Sequence, residues 1–123
     1  MSFNSVKKFE QEVADFFGAK YGVATDCCTH AIELCLRLLK TYPLYNGPLP
    51  KKLFLPTRTY ISVPFTLHKL EIPFYWRDDE EYSNWSEYYY IGNTPVIDAA
   101  VYWKKGGYIP DSFMCLSFQF QKH

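Results

Sequence analysis

Residues 21–32 read Tyr-Gly-Val-Ala-Thr-Asp-Cys-Cys-Thr-His-Ala-Ile, a β-prone run followed at once by the start of a helix. The run from Tyr21 to Thr25 predicts a short strand, and the apolar spacing that follows predicts a helix from about Cys28 to Tyr42. Apolar side chains cover most of the circumference of this helix, so we expect it to be buried. A strand that feeds directly into a buried helix is typical of α/β folds.

Helices and strands alternate through the first two thirds of the chain. A first amphipathic helix is predicted from Val6 to Phe17 with Gly18 as its stop, and a third from about Tyr60 to Leu70, with Pro64 tolerated in its first turn. The predicted strands are Lys52–Leu55, Ile72–Trp76, Tyr88–Ile91, Pro95–Ile97 and Phe113–Phe118, and Arg77–Glu87 is predicted to be a loop with one helical turn. This alternation predicts a largely parallel sheet with helices on its faces, whose ligand sites lie beyond the carboxyl ends of the strands.

Length and composition indicate one domain, residues 1–123, with a real core, since hydrophobic residues make up 48% of the chain. Aromatic residues reach 20%, a content that suits base stacking, but Lys+Arg and Asp+Glu both number 13. Without a net positive charge the chain has no field to neutralise phosphates, so we exclude nucleic acid as a partner. The aromatic side chains are better explained by a core or an oligomer interface.

The apolar segments and the cysteines indicate where the protein works. There is no apolar run at the amino terminus and none of the ~18 residues that a membrane span needs, so we expect neither a signal peptide nor a membrane partner. The four cysteines form no disulfide framework, which suits a reducing cytoplasm. Cys27, Cys28 and His30 match no zinc spacing and lack a fourth ligand, so we predict no metal site.

The start of the second helix is a candidate anion site. The first amide groups of a helix have no partner within the helix, and together with the helix dipole they attract negative charge. The Thr29 hydroxyl can add a hydrogen bond. Simple capping of the helix by Asp26 or Thr29 explains the same residues.

Two further candidates follow predicted strands. Asp98 ends the run Pro95–Ile97, and a carboxylate in such a crowded place needs a cationic partner, for which a protonated pyridine nitrogen is suitable. Tyr60 lies after the strand Lys52–Leu55, where its ring can stack on a flat cofactor. A loop-starting aspartate and one more core aromatic are the alternatives.

The segment Ser117–Lys122 reads Ser-Phe-Gln-Phe-Gln-Lys and places one hydroxyl near the end of the last predicted strand and one amine five residues later. Such a pair suits an aldehyde cofactor that carries a phosphate, because Lys122 would supply an imine nitrogen and Ser117 would bind the phosphate. A solvated tail is the alternative.

In their order along the chain, these motifs resemble the DegT/DnrJ/StrS family of PLP-dependent sugar aminotransferases. Thr25–Ile32 is similar to the family's Ser-Gly-Thr-x-Ala-Leu phosphate loop, and Pro56–Tyr60 to its Pro-x-x-Thr-aromatic segment. Val96–Ala100 resembles the Glu-Asp-Ala-Ala stretch, and Ser117–Lys122 resembles the Ser-Phe-x-x-x-Lys segment. The resemblance implies a three-layer α/β fold, part of the type I aminotransferase large domain.

The resemblance also implies a cofactor, pyridoxal 5'-phosphate (PLP), and a role for each residue. Lys122 would bind the cofactor aldehyde and move protons, and Asp98 would hold the ring nitrogen. Tyr60 would stack on the ring. The phosphate would be bound by the Cys28 amide, Thr29 and Ser117. The implied reaction transfers an amino group from an amino acid, typically glutamate, to a nucleotide-linked keto-sugar, as in polysaccharide biosynthesis.

Departures from the family pattern shape a last expectation. Cys28 stands where the family usually has glycine, Val101 stands where a polar residue often contacts the cofactor, and the stretch between Trp76 and Pro95 is short. Since family members continue well beyond the lysine and place their sites at dimer interfaces, we expect an N-terminal fragment or one half of a split enzyme. Its partner would be a second copy or a complementing C-terminal chain. The alternative is an inactive remnant that acts as a protein-interaction module.

Overall fold

Four helices and five strands form the part of the chain that the computed structural model describes, residues 3–42, 49, 51–83, 85 and 87–118. The elements are α1 (Phe3–Phe17), α2 (Cys28–Thr41), β1 (Leu53–Pro56), α3 (Ser62–Lys69), β2 (Phe74–Arg77), α4 (Glu80–Ser83), β3 (Tyr89–Tyr90), β4 (Val96–Asp98) and β5 (Phe113–Cys115). The mixed α/β class predicted from the sequence is confirmed. Pro64 is the third residue of α3, within its first turn as expected.

The strands form two small sheets that are only partly parallel. β1 pairs with β2 in parallel, and β4 pairs with β5 in parallel, but β3 and β4 form an antiparallel hairpin. The prediction of parallel strands is therefore wrong for β3, because the short turn at 91–95 leaves no room for a crossover. The Thr94 hydroxyl closes that turn by donating to the Ile91 carbonyl at 2.6 Å. The three-layer arrangement stays a prediction.

The strand predicted at Tyr21–Thr25 is wrong. These residues pass across α1 instead of joining a sheet. The Ala24 amide donates to the Glu10 carboxylate at 2.7 Å, so the ladder partner that a strand needs is replaced by a side chain. A Cβ on Gly22 would lie 2.6 Å from the Glu10 carbonyl oxygen, which shows how closely the segment crosses the helix.

Helix α2 buries one side, and not most of its circumference as the sequence predicted. Ile32, Leu36 and Leu39 are buried, whereas Leu34 is 55% exposed. The solvent side also carries Glu33, which pairs with a basic residue on its own helix and one on α3. The buried side packs on α3, β4 and β5. Each fully buried leucine contributes about 1.5–3 kcal/mol to folding.

Strand β4 is buried on both faces. Val96 belongs to the main cluster around α2, and Ile97 belongs to a second cluster with Phe17 from α1. Because side chains alternate along a strand, Asp98 faces the same side as Val96, toward α2. Among the described residues, no helix combines the length and the apolar character that a bilayer crossing requires.

Candidate active site

Asp98 is a buried carboxylate at the carboxyl end of β4. The residue is only 3% exposed to solvent. The Tyr89 hydroxyl donates to Oδ2 at 2.8 Å, and the Ala100 amide donates to Oδ1 at 3.2 Å. A charge removed from water needs such donors, since an uncompensated buried carboxylate costs several kcal/mol, on the order of its desolvation penalty. The chain therefore directs one donor at each oxygen of this carboxylate at the sheet edge.

Helix α2 begins beside this sheet with its first amides uncapped by the preceding side chain. Cys27 precedes the helix in an extended conformation and makes no capping hydrogen bond through its side chain. Asp26, one of the capping residues considered above, instead pairs with His30 Nδ1 at 2.7 Å. That hydrogen bond lowers the pKa of the Asp26 carboxyl below its usual value. Cys28 packs against the main core cluster, and Thr29 beside it is half-buried.

Tyr60 lies between β1 and α3 and is 38% exposed. The pKa of its hydroxyl is raised, first by burial and then by the negative charges that Asp98 and Cys28 can carry. Tyr60 is thus within electrostatic reach of the buried acid and of the residue that begins α2. These are three of the elements that the sequence predicted to converge, and their convergence on one ligand stays a prediction.

Ser117 lies at the same sheet edge as Asp98. β4 and β5 are parallel with Asp98 opposite Cys115, so both strands end at this edge, and Ser117 follows two residues later. The residue is buried, and its carbonyl accepts a hydrogen bond of 3.0 Å from Trp103 Nε1. Lys122, the predicted covalent partner of the cofactor, lies outside the described residues.

The potential metal ligands differ from those weighed in the sequence. Within the described residues, Asp26, Cys27 and His30 place their ligand atoms within 4.8 Å of one another, and Cys28 is not part of the group. All three are exposed and stand at the positive end of the α2 dipole, which favours an anion over a cation.

Two surface hollows lie elsewhere. One, of about 320 Å³, is lined by residues including His68 and Phe74, and the other, of about 330 Å³, by residues including Arg37 and Lys69. The first lies at the carboxyl end of α3, and the second lies between the carboxyl ends of α2 and α3, at the opposite end of α2 from Cys28. Neither hollow is lined by Asp98, Tyr60 or the residues at the start of α2. We therefore assign the candidate site by the buried carboxylate and the helix start.

Sequence reasoning missed three aromatic residues around the site. Tyr89 holds Asp98, Trp103 holds the Ser117 backbone, and Trp85 donates to the Arg58 carbonyl near Tyr60. The signal for Tyr89 was present: two β-type runs separated by a short Gly-Asn-Thr turn predict a hairpin. The contacts of the tryptophans are long-range and left no local signal.

The fold and the site together define an α/β protein that keeps a buried acid beside a helix start. The model of the DegT/DnrJ/EryC1/StrS aminotransferase family matches residues 1–64. Since 64 of the 123 residues are matched, the chain belongs to this family, as its motifs predicted, and an aminotransferase-type function follows. The matched span includes Cys28, Thr29 and Tyr60, but not the motifs around Asp98 and Lys122. No curated protein and no solved structure matches the chain.

Proposed function

We propose that this chain is a PLP-dependent aminotransferase that moves an amino group from an amino acid donor to a nucleotide-linked keto-sugar. The observation that carries the proposal is the buried Asp98 carboxylate, which lies within electrostatic reach of Tyr60, as does Cys28 at the α2 start. A family of aminotransferases supplies the reaction type. The sugar substrate and the donor are parts of the proposal.

The residues present fit PLP. A buried carboxylate suits the protonated ring nitrogen, because a cation is the partner that such a group needs. The α2 amides, the Thr29 hydroxyl and Ser117 suit the phosphate, and Tyr60 offers a ring face. When bound, PLP supplies an aldehyde that takes up an amino group and a ring that withdraws electrons from the reacting carbon.

The protein's own groups would then divide the remaining work. Asp98 would keep a proton on the ring nitrogen, and Tyr60 would orient the ring and shield it from water. The α2 start would hold the phosphate and so fix that end of the cofactor. Lys122 would hold the aldehyde and carry a proton between donor and acceptor atoms.

A partner chain is part of the proposal. Tyr60, Ile61 and Phe65 leave large apolar side chains exposed beside the site. Such a patch is typical of an interface. We therefore propose a homodimer or a complementing C-terminal chain that covers this side and completes an N-terminal fragment or half of a split enzyme. The four free cysteines support a cytoplasmic location.

Replacement of the buried acid tests the proposal. PLP is added to the chain, with and without the product of the adjacent reading frame, and bound cofactor is measured by its visible absorbance. Asp98→Asn keeps the shape of the side chain and removes its charge, so we expect affinity to fall roughly 100-fold, as when one partner of a buried pair is lost. Asp78→Asn, on an exposed acid after β2, is the matched control and should bind as the wild type does.

A second candidate function is a protein-interaction module without catalysis. It is favoured by the exposed apolar side chains, among them Phe3, Val23 and Phe65. The PLP-binding experiment, together with sedimentation, separates the two functions. A chain that associates in sedimentation experiments but takes up no PLP, with or without the product of the adjacent reading frame, is an interaction module and not an enzyme.

A further inference from the structure

Tyr89 and Asp98 form a buried cross-strand pair. They are register partners in the antiparallel hairpin of β3 and β4, so their side chains lie on one face of the sheet. Both residues are 3% exposed, and the hydroxyl donates to Oδ2 at 2.8 Å. Together with the Ala100 amide on Oδ1, this bond gives each carboxylate oxygen a donor from the chain.

The Tyr89 hydroxyl remains a hydrogen-bond donor at neutral pH. Burial, and then the negative charge of Asp98, raise the pKa of Tyr89 far above its usual value. The hydroxyl therefore stays protonated, and its proton remains directed at the carboxylate. A neutral donor of this kind draws part of the negative charge of Asp98 toward itself.

Tyr89 is also connected to the loop that carries Tyr60. The ring of Trp85 packs against the Tyr89 ring, with centroids 4.7 Å apart. The Nε1 group of Trp85 donates to the Arg58 carbonyl, two residues before Tyr60. One small assembly therefore holds both the predicted partner of the ring nitrogen and the predicted stacking residue.

We propose that Tyr89 is a positioning residue that sets how strongly Asp98 holds the ring nitrogen of a bound cofactor. This inference rests on the proposed function. The hydroxyl takes up part of the charge of the carboxylate and fixes its plane, so the ring nitrogen receives only the remainder. Without that donor, more of the charge of Asp98 would act on the nitrogen, while the Ala100 amide would still hold Oδ1.

The test compares Tyr89→Phe, which keeps the ring packing against Trp85, with Tyr102→Phe as a matched control. Tyr102 is another buried tyrosine, in the cluster on the opposite face of β4. PLP labelled with ¹⁵N in its ring is bound to each protein, and the ring-nitrogen chemical shift is followed against pH. We expect the midpoint for loss of the nitrogen proton to rise by about one pH unit in Tyr89→Phe, a tenfold change from one charged hydrogen bond. The control should titrate like the wild type. An unchanged midpoint in a folded Tyr89→Phe overturns the proposal.

A second measurement needs no cofactor and no variant. In the wild-type chain with ¹³C-labelled aspartate carboxyl groups, the Asp98 signal should shift when hydroxyl hydrogens are exchanged for deuterium. No isotope shift at Asp98 means that the bond is absent, and the proposal fails even if Tyr89→Phe does not fold. If the isotope shift is present but the chain takes up no PLP, the proposed function fails and the positioning role falls with it.

Discussion

Leu36 is the position where the packing of α2 can be tested with the least ambiguity. Its side chain is fully buried in the main core cluster, on the side of the helix that meets β4 and β5. Replacement by alanine removes the buried branched end and leaves a cavity, at a cost of about 3 kcal/mol within the usual range of 2–5. Leu34→Ala, two residues earlier, is the control. Leu34 is 55% exposed, so its replacement should change the stability by less than about 0.5 kcal/mol.

Urea unfolding followed by far-ultraviolet circular dichroism measures both variants. With a slope of about 1–3 kcal/mol per molar for a small domain, the Leu36→Ala midpoint should fall by roughly 1–3 M. The Leu34→Ala midpoint should remain close to that of the wild type. Equal losses in the two variants would refute the orientation of α2, and with it the packing of Cys28 against the main core cluster.

Three further predictions concern a turn, an ionisable group and the helix start. Gly92→Ala should lower the free energy of unfolding in urea clearly more than Gly106→Ala does. Both residues have positive φ, so a side chain at either position costs about 1–2 kcal/mol in backbone strain. Only a Cβ on Gly92 would also meet the Phe54 carbonyl oxygen, at 3.1 Å. Equal costs would contradict the close approach. Burial raises the pKa of Tyr82 from 10.0 to about 12, so its contribution to stability is complete below pH 10 and is lost as the pH rises toward 12. Tyr82→Phe should flatten this alkaline loss in thermal unfolding, and an unchanged pH profile would show that another group is responsible. Thr29→Val should weaken the binding of PLP about tenfold but leave the binding of pyridoxal, which has no phosphate, unchanged. Equal loss for both ligands would place Thr29 away from the phosphate.

The helices were predictable because their signals are local. The bounds of α2 agree with the sequence within one residue at its carboxyl end, since apolar spacing and the following proline act within a few positions. The failed strand at Tyr21–Thr25 shows the limit of such signals. Its β propensity was overruled by a hydrogen bond from Ala24 to Glu10, fourteen positions away.

The site was predictable in part. The shared sheet edge of Asp98 and Ser117 was predictable, because parallel strands gather the residues at their carboxyl ends at one edge. Their role in a site stays a prediction. The partner of Asp98 was not selected, because Tyr89 reaches it only through the register of an antiparallel hairpin, and the sequence predicted the two strands without their pairing. The placement of Lys122 stays a prediction.

Borohydride reduction in the presence of PLP, followed by peptide mass mapping, tests the central claim that this chain builds a PLP site. The mapping locates the lysine to which the reduced cofactor is attached. We predict one attached cofactor per chain, on Lys122, and its loss in Lys122→Arg but not in Lys104→Arg. Cofactor distributed over the exposed lysines, with Lys122 no more labelled than the others, would contradict the claim.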